Sequence, residues 1–268
     1  MWIDTHCHLD AAEFGTESAD VARRALEAQV SWIVVPAIDT GNFDAVRMLA
    51  TSLPNCTYAL GIHPVCVPQA GPTDLARLRA AIPAALEDPR FVAIGEIGLD
   101  FFLPQLCTAA MREKQAHFYA EQLKIARDFD LPVLLHVRRS QDTILKYLRR
   151  MRPPGGIAHA FNGSDQQAQT FIDLGFRLGL GGAMTFTRAL QIRRHAAMLP
   201  LSSLVLETDA PDLSPEWIHP ARNSPENLPG IGAVLAELRG VTAEEIAAAT
   251  SDNACDALPR LAFLSKTA

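Results

Sequence analysis

The chain has 268 residues, 49% of them hydrophobic, and a net charge of −6 at neutral pH, which argues against a protein that holds long duplex DNA along a basic stripe. Asp4 and His6 interrupt the first apolar run too early for a signal peptide, and no run is long enough for a membrane span, so we expect a cytoplasmic protein that binds no membrane. Its five cysteines are widely spaced and include no C-x-x-C pair, so the sequence indicates neither a disulfide framework nor a zinc-cysteine site.

Short β-rich runs alternate along the chain with amphipathic, Ala/Leu/Arg/Glu-rich stretches. The predicted strands, in chain order, are MWIDTH, SWIVVPAI, CTYALGI, FVAIGEI, LPVLLHV, GIAHAF, FRLGLGG and SLVLETD, with helical patterns between them such as SADVARRALEAQ and AAMREKQAHFYAEQLKIARDF. Apolar strands that alternate with helices indicate a parallel sheet covered by helices. Eight such units predict an α/β fold, a (β/α)8 TIM barrel that forms a single domain over residues 1–268. The alternative is a doubly wound open sheet, but a Gly-rich phosphate loop would then normally follow the first strand, where this chain has THCHLD.

Ionisable side chains stand at the carboxyl ends of the predicted strands, where the active sites of such barrels form. They are His6, His8, Glu96, His136, His159 and Asp209. Singly, each has an ordinary explanation, such as a helix cap, a satisfied core histidine or a turn. Together they would be costly to bury at the mouth of one apolar barrel without a cation. Because they offer more donors than one tetrahedral ion uses, the sequence predicts two divalent metal ions with Glu96 as the bridge.

The ligand types narrow the choice of metal. Imidazole-rich ligation suits zinc, manganese, iron or nickel better than calcium, and the carboxylates leave magnesium open. No lysine stands at a predicted strand end, which excludes a carbamylated lysine as the bridge. Alternation of side chains along the first strand points Cys7 away from His6 and His8, so its thiol is not expected among the ligands.

The net charge of such a centre favours an anionic substrate. Two divalent ions, two carboxylates and a hydroxide leave the site at about +1. Arg138 shares a predicted strand face with His136 and could bind a phosphate, the alternative being an ion pair with a neighbouring acid. Backbone N–H groups of Gly179, Gly181 and Gly182 and of a helix that opens at Thr187 could add to that phosphate site.

The remaining histidines divide into two groups. His63, in GIHP, ends the third predicted strand and could reach a substrate. The others, His117, His195 and His219, fall in helical or loop stretches and are expected to be ordinary surface residues.

A series of longer motifs covers nearly the whole chain: DTHCHLD, GIHP, IGEIGLDFF, QLKIARDFDLPVLLHVRRS, HAFNGS, ETDAP and RNSPENL. In sequence and order they resemble the motifs of the TatD-type metal-dependent deoxyribonucleases of the amidohydrolase superfamily. The resemblance implies one metal held by His6, His8, Glu96 and Asp209, and a second held by Glu96, His136 and His159. It also implies supporting or substrate-binding roles for His63, Glu207, Arg222 and Asn223. The segment LPQLCTAAMREK departs from the family by lacking a polar cluster.

These observations predict a metal-dependent hydrolase that cleaves phosphodiesters with a metal-activated water, Asp209 being the proton acceptor and Glu96 the bridge. The resemblance implies that the enzyme is a deoxyribonuclease. Acidity and an aromatic content of 7% favour an exonuclease that acts on the ends of single strands or on short oligonucleotides. The alternative is a hydrolase that has the same metal centre but cleaves a different bond: an amidase, lactonase or esterase, including an aminoacyl-tRNA deacylase. A silent nucleic-acid-binding barrel is a third hypothesis, which the full ligand set disfavours. The sequence indicates no protein partner.

Overall fold

A computed structural model describes residues 1–265 and confirms the predicted (β/α)8 TIM barrel. Eight strands form one sheet in the order β1 to β8, and every neighbouring pair is parallel. They are β1 (Trp2–Asp4), β2 (Val30–Pro36), β3 (Cys56–Leu60), β4 (Phe91–Asp100), β5 (Val133–Arg138), β6 (Gly156–Ala158), β7 (Phe176–Leu180) and β8 (Leu204–Leu206). The N–H of Thr5 donates to the carbonyl of Leu206 at 3.1 Å, which joins the two ends of the sheet.

Helices follow the strands and cover the outside of the barrel. They are α1 (Ser18–Glu27), α2 (Phe43–Ser52), α3 (Pro72–Leu86), α4 (Ala109–Asp128), α5 (Gln141–Met151), α6 (Asp165–Asp173), α7 (Leu190–Met198), α8 (Leu228–Arg239), α9 (Ala243–Ala257) and α10 (Pro259–Ser265). Among residues 1–265, no helix combines the length and apolar composition that crossing a membrane requires.

The apolar strands serve two cores at once. In β2, Ile33 and Val35 pack in the layer between strands and helices, whereas Trp32 and Val34 face the barrel interior. The interior cluster ends against α9 and α10 through residues such as Leu261. Burial on both faces explains why these strands read as continuous apolar runs, since each buried Val or Ile contributes about 1.5–3 kcal/mol. The amino ends of the strands are thereby covered, whereas the carboxyl ends open to solvent.

Several strands are shorter than predicted, but the chain beyond them keeps its alternation. After β1 ends at Asp4, the N–H of Cys7 donates to Val34 at 3.1 Å, and the N–H of His8 donates to Ala210 at 2.8 Å. These bonds to opposite neighbours hold the backbone extended, and Cys7 is fully buried in the strand–helix layer. The predicted orientation of Cys7 is therefore confirmed, although its segment lies outside the strand.

Two local expectations are wrong. The helix predicted to open at Thr187 does not begin there, because the chain forms a 3-10 turn over Gly182–Thr185 and α7 begins at Leu190. His195 is a buried residue of α7, not a surface one, and its Nε2 lies 2.8 Å from Oδ1 of Asp165. The apolar face of α7 turns His195 inward, where this carboxylate supplies a partner for the imidazole.

Candidate metal centre

A cleft of about 900 Å³ opens at the carboxyl ends of the strands. All six predicted ligands converge on its floor, where His8, Glu96, His136, His159 and Asp209 line the cleft and His6 lies directly beneath. They come from the ends of five different strands, so the closure of the barrel brings together residues far apart in the sequence.

Glu96 stands at the middle of this group and is 1% exposed. Its Oε2 lies 3.1 Å from Nε2 of His6 and 3.5 Å from Nε2 of His8. Its Oε1 lies 2.9 Å from Nδ1 of His136 and 3.3 Å from Nε2 of His63. Each carboxylate oxygen therefore faces a different pair of imidazoles, which is the arrangement that a bridging ligand requires.

Asp209 and His159 complete the β1 side of the group. Oδ1 of Asp209 lies 3.8 Å from the Nε2 atoms of His6, His8 and His159. The imidazole of His159 stacks on that of His6, with ring centroids 3.8 Å apart. His159 thus lies nearer to His6 and Asp209 than to His136, whose ring centroid is 6.3 Å away.

Three sets of donor atoms are close enough to hold an ion: His6, His8 and Asp209; His6, Glu96 and His159; and His63, Glu96 and His136. The expected division between two metals is close to this but places His159 beside His136, where the structure places His63. The reason lies in the strand order, since β3 and β5 flank β4 and their residues approach Glu96 from both sides. His63 is therefore a candidate ligand as well as a cleft residue.

The donor set fits divalent cations. His63 Nε2 and His136 Nδ1 lie 3.0 Å apart, and Nε2 of His6 lies 3.3 Å from Nε2 of His8, so imidazole lone pairs converge in a buried space. Burial lowers the pKa of His63 to about 4. Burial would also lower the pKa of His159, but Glu207 and Asp209 outweigh it and raise that pKa to about 10. A cation would satisfy all of these nitrogens without placing protons on some of them.

Glu207 lies behind His159 and does not face the cleft. Its Oε1 is 2.9 Å from Nδ1 of His159, and the carboxylate is fully buried. The space for it exists because residue 179 is glycine: a Cβ there would lie 2.1 Å from Oε2 of Glu207. The position supports a role in orienting His159, with Nε2 turned to the cluster, rather than contact with substrate.

Asp100 has the corresponding position behind His136, and the sequence analysis missed it. Its Oδ2 lies 3.2 Å from Nε2 of His136, and its Oδ1 accepts the N–H of Phe102 at 2.8 Å. Burial would raise the pKa of Asp100, but these hydrogen bonds outweigh it and lower that pKa to about 2. Two-residue alternation from Glu96 could have identified it, because β4 continues to Asp100. Gly98 between them lets β5 approach, since a Cβ there would meet the carbonyl of His136 at 2.0 Å.

A second missed carboxylate, Asp4, ties the ends of β1 and β8 together below the cluster. Its oxygens accept the N–H of Thr208 at 2.9 Å, the Thr208 hydroxyl at 2.5 Å and the N–H of His6 at 3.3 Å. Burial raises the pKa of Asp4 to about 7, against the effect of these bonds. Asp4 therefore fixes the backbone that carries His6.

Two other residues with an expected supporting or substrate-binding role, Arg222 and Asn223, do not line the cleft. Arg222 is not among the cleft residues: it donates to the carbonyl of Glu13 at 2.5 Å and to Glu17 at 2.8 Å. Asn223 is fully buried and donates to the carbonyl of Thr208 at 2.8 Å, which holds the segment after β8 in place. Their motif indicated an important segment, but the side chains stabilise it instead of facing the cleft.

Most of the other residues predicted to contact the substrate or its phosphate line the cleft, and one of them does not. His63 and Arg138 line the cleft, and so do Gly179 and Gly181. Gly182 instead packs against the loop after β8, where a Cβ would lie 2.0 Å from the carbonyl of Leu213. None of the lysines among residues 1–265 stands at a strand end, because Lys114 and Lys124 lie on α4 and Lys146 lies on α5. Lys266 lies outside the described residues.

Comparisons of the sequence and of the structure with known proteins identify the same family. The family model described as TatD related DNase matches residues 3–259. The uncharacterized metal-dependent hydrolase YjjV of Escherichia coli strain K12 is 41% identical over 255 residues, covering 94% of this chain and 95% of that protein. The crystal structure of YjjV, a TatD homolog, superimposes with a TM-score of 0.89 at 40% identity, covering 96% and 98% of the two chains. Deoxyribonuclease TATDN3 of Homo sapiens is 31% identical over 98% of this chain and 96% of its own.

Proposed function

Since the chain belongs to the TatD family of metal-dependent hydrolases, we propose that it is a deoxyribonuclease that cleaves phosphodiester bonds at the ends of single-stranded or short nucleic acids. The observation that carries the proposal is the pairing of a buried imidazole–carboxylate cluster with a guanidinium on the cleft wall, that of Arg138. A hydrolytic centre beside a fixed cation suits an anionic ester. The human relative's name, a deoxyribonuclease, supports the same substrate class.

We assign the cluster to two divalent ions, with zinc, manganese and magnesium all compatible with the donors. As the resemblance implies, His6, His8, Glu96 and Asp209 would hold one ion, and Glu96, His136 and His159 the other. The donor atoms group His63 with Glu96 and His136, so His63 would join the second ion. His159 lies within 4 Å of both Glu96 and Asp209. When bound, such ions polarise a phosphoryl oxygen and make water a stronger nucleophile near neutral pH.

The protein's own groups perform the remaining steps. Asp209 is the carboxylate on the cleft side of the cluster, 14% exposed, and it accepts the proton of the attacking water. Glu96 lies deeper, with 1% of its side chain exposed, and fixes the positions of the imidazoles around it. Arg138 holds an anionic part of the substrate at the wall of the cleft. Its side chain is 49% exposed and its nearest carboxylate, Asp100, lies 3.9 Å away, so it can still bind a substrate anion.

The size of the cleft and the charge of the chain limit the substrate. At about 900 Å³ the cleft lies near the upper end of ordinary small-ligand sites, so it suits a strand end or a short oligonucleotide. A net charge of −6 disfavours tracking along a duplex.

The test compares hydrolysis of a phosphodiester with hydrolysis of a carboxylic ester, and degradation from the 5′ end of a strand with degradation from the 3′ end. The purified protein is analysed for metal, then assayed with bis-p-nitrophenyl phosphate, with p-nitrophenyl acetate and with single strands labelled at the 5′ or 3′ end. Hydrolysis of the phosphodiester and stepwise loss of nucleotides from one end are expected. Turnover of the acetate alone would overturn the proposal in favour of a carboxylic ester, lactone or aminoacyl-ester substrate.

A further inference from the structure

Two guanidinium groups share one exposed aromatic ring on the wall of the cleft. The Cζ of Arg138 lies 4.0 Å from the ring centroid of Phe102, and the Cζ of Arg139 lies 4.6 Å from it. All three side chains line the cleft. Both cations therefore lie close to one ring on the same wall of the cleft, where an anionic group of a substrate could approach them.

The backbone is shaped to bring these consecutive side chains together. Neighbouring residues of a strand point to opposite faces, but β5 ends at Arg138 and Arg139 adopts a φ of 55°. A left-handed conformation is costly for a non-glycine residue and is often associated with function. The ring is anchored as well, because the N–H of Phe102 donates to Asp100, the carboxylate that contacts His136.

Most of the positive charge of this pair is free to bind a ligand. Arg138 approaches only Asp100, at 3.9 Å, and Arg139 has no carboxylate within ion-pairing distance among residues 1–265. Six carboxylates line the cleft: Glu96 and Asp209 belong to the candidate metal cluster, and Asp100 is the one that lies 3.9 Å from Arg138. The other three, Asp10, Glu13 and Asp212, lie on the segments after β1 and β8 and not on β4 or β5. A strongly anionic group would therefore bind on the arginine side and be repelled from the other.

We propose that Arg138, Arg139 and Phe102 form a binding site for the terminal phosphomonoester of an oligonucleotide, beside the hydrolytic centre. A phosphomonoester carries about −1.5 to −2 charges near neutral pH, which two guanidiniums match, whereas an internal diester carries one. This inference rests on the proposed function for its substrate class, and it adds that the substrate is a strand with a phosphorylated end.

The experiment measures binding apart from catalysis. Calorimetric titrations of the metal-free protein compare the thymidine dinucleotides pTpT, TpTp and TpT, and KM values are then measured on the metal-loaded enzyme. One phosphorylated dinucleotide should bind at least about tenfold more tightly than TpT, as expected for charge-assisted hydrogen bonds. R138A and R139A should each reduce this preference, and the double variant should abolish it.

Matched variants separate the site from general charge and from folding. Arg188 also lies over a phenylalanine, with Cζ 5.1 Å from the Phe186 centroid, but outside the cleft, so R188A should retain the preference. F102L should weaken the preference, and F102Y should restore it. Equal affinity of the parent protein for all three dinucleotides, or a preference that survives in the double variant, would overturn the inference.

The two proposals fail in distinguishable ways. If pTpT and TpTp bind no better than TpT and TpT is still hydrolysed, the terminal-phosphate site is wrong and the nuclease proposal stands. If one phosphorylated dinucleotide binds more tightly through the arginines but only p-nitrophenyl acetate is hydrolysed, the site stands and the nuclease proposal fails.

Discussion

Nδ1 of His159 lies 2.9 Å from Oε1 of Glu207, and both side chains are buried beneath the cleft. The carboxylate accepts a hydrogen bond from the Nδ1–H group. Nε2 of the ring is then the atom that faces Asp209 and the other imidazoles. A histidine held in this way is oriented before any ligand arrives.

Glu207→Gln should therefore weaken metal binding by about 10–100-fold, because a neutral partner holds the imidazole less firmly. Competition with a metal chelator measures the affinity. The chain offers a matched control in the pair of His195 and Asp165, 2.8 Å apart and away from the cleft, so Asp165→Asn should leave the affinity unchanged. A Glu207→Gln variant with normal metal affinity and a raised KM would show that Glu207 contacts substrate instead.

Glu96→Ala tests whether one carboxylate serves two ions. Since each of its oxygens faces a separate pair of imidazoles, its loss should reduce bound metal and lower turnover by on the order of a hundredfold or more. Metal analysis and circular dichroism of the same sample separate metal loss from unfolding. Retention of two ions per chain with full activity would contradict the bridging role.

Asp100→Asn tests the carboxylate behind His136. An amide can keep the hydrogen bond from the N–H of Phe102, but it no longer attracts the proton on Nε2 of His136. We expect one ion to bind about 10–100-fold more weakly while the ion near His8 is retained, which a metal titration of the metal-free protein resolves into two steps. Equal weakening of both steps would indicate a single shared ion.

The sequence could predict those features of the site that depend on local strand periodicity, but not those that depend on contacts between residues far apart in the chain. The barrel and the convergence of the six predicted ligands followed from local periodicity, because a polar residue after an apolar parallel strand must emerge at the same rim. The roles of Glu207 and Asn223 could not be predicted from periodicity. A residue that follows a strand can face either the cleft or the neighbouring strand, and tertiary packing determines which. Asp100 was missed because β4 extends beyond its apolar run.

Alkylation of the thiols gives a pH-dependent test of burial. Burial raises the pKa of Cys56 to about 12, and burial with the nearby Asp39 raises that of Cys66 to about 11. Because the thiolate is the reactive form, a raised pKa means slow reaction at pH 8 and a rate that rises about tenfold per pH unit up to the pKa. Mass spectrometry after iodoacetamide treatment should find both thiols largely unmodified at pH 8. Rapid modification of Cys56 at that pH in the folded protein would contradict its burial.

Substitutions of the neighbouring residues Cys7 and His8 are expected to have opposite effects on stability and turnover. Cys7 is fully buried in the strand–helix layer, where burial raises the pKa of its thiol well above its usual value, while His8 lines the cleft 3.5 Å from Glu96. Cys7→Ser should leave metal stoichiometry and turnover nearly unchanged and lower the free energy of unfolding by about 1–3 kcal/mol, because a hydroxyl replaces a buried thiol. His8→Ala should leave the fold intact and lower turnover by on the order of a hundredfold or more, since a metal ligand is lost. Denaturant unfolding, metal analysis and turnover of both variants check the pair. Loss of metal from Cys7→Ser with a normal unfolding curve would show that the thiol belongs to the metal centre.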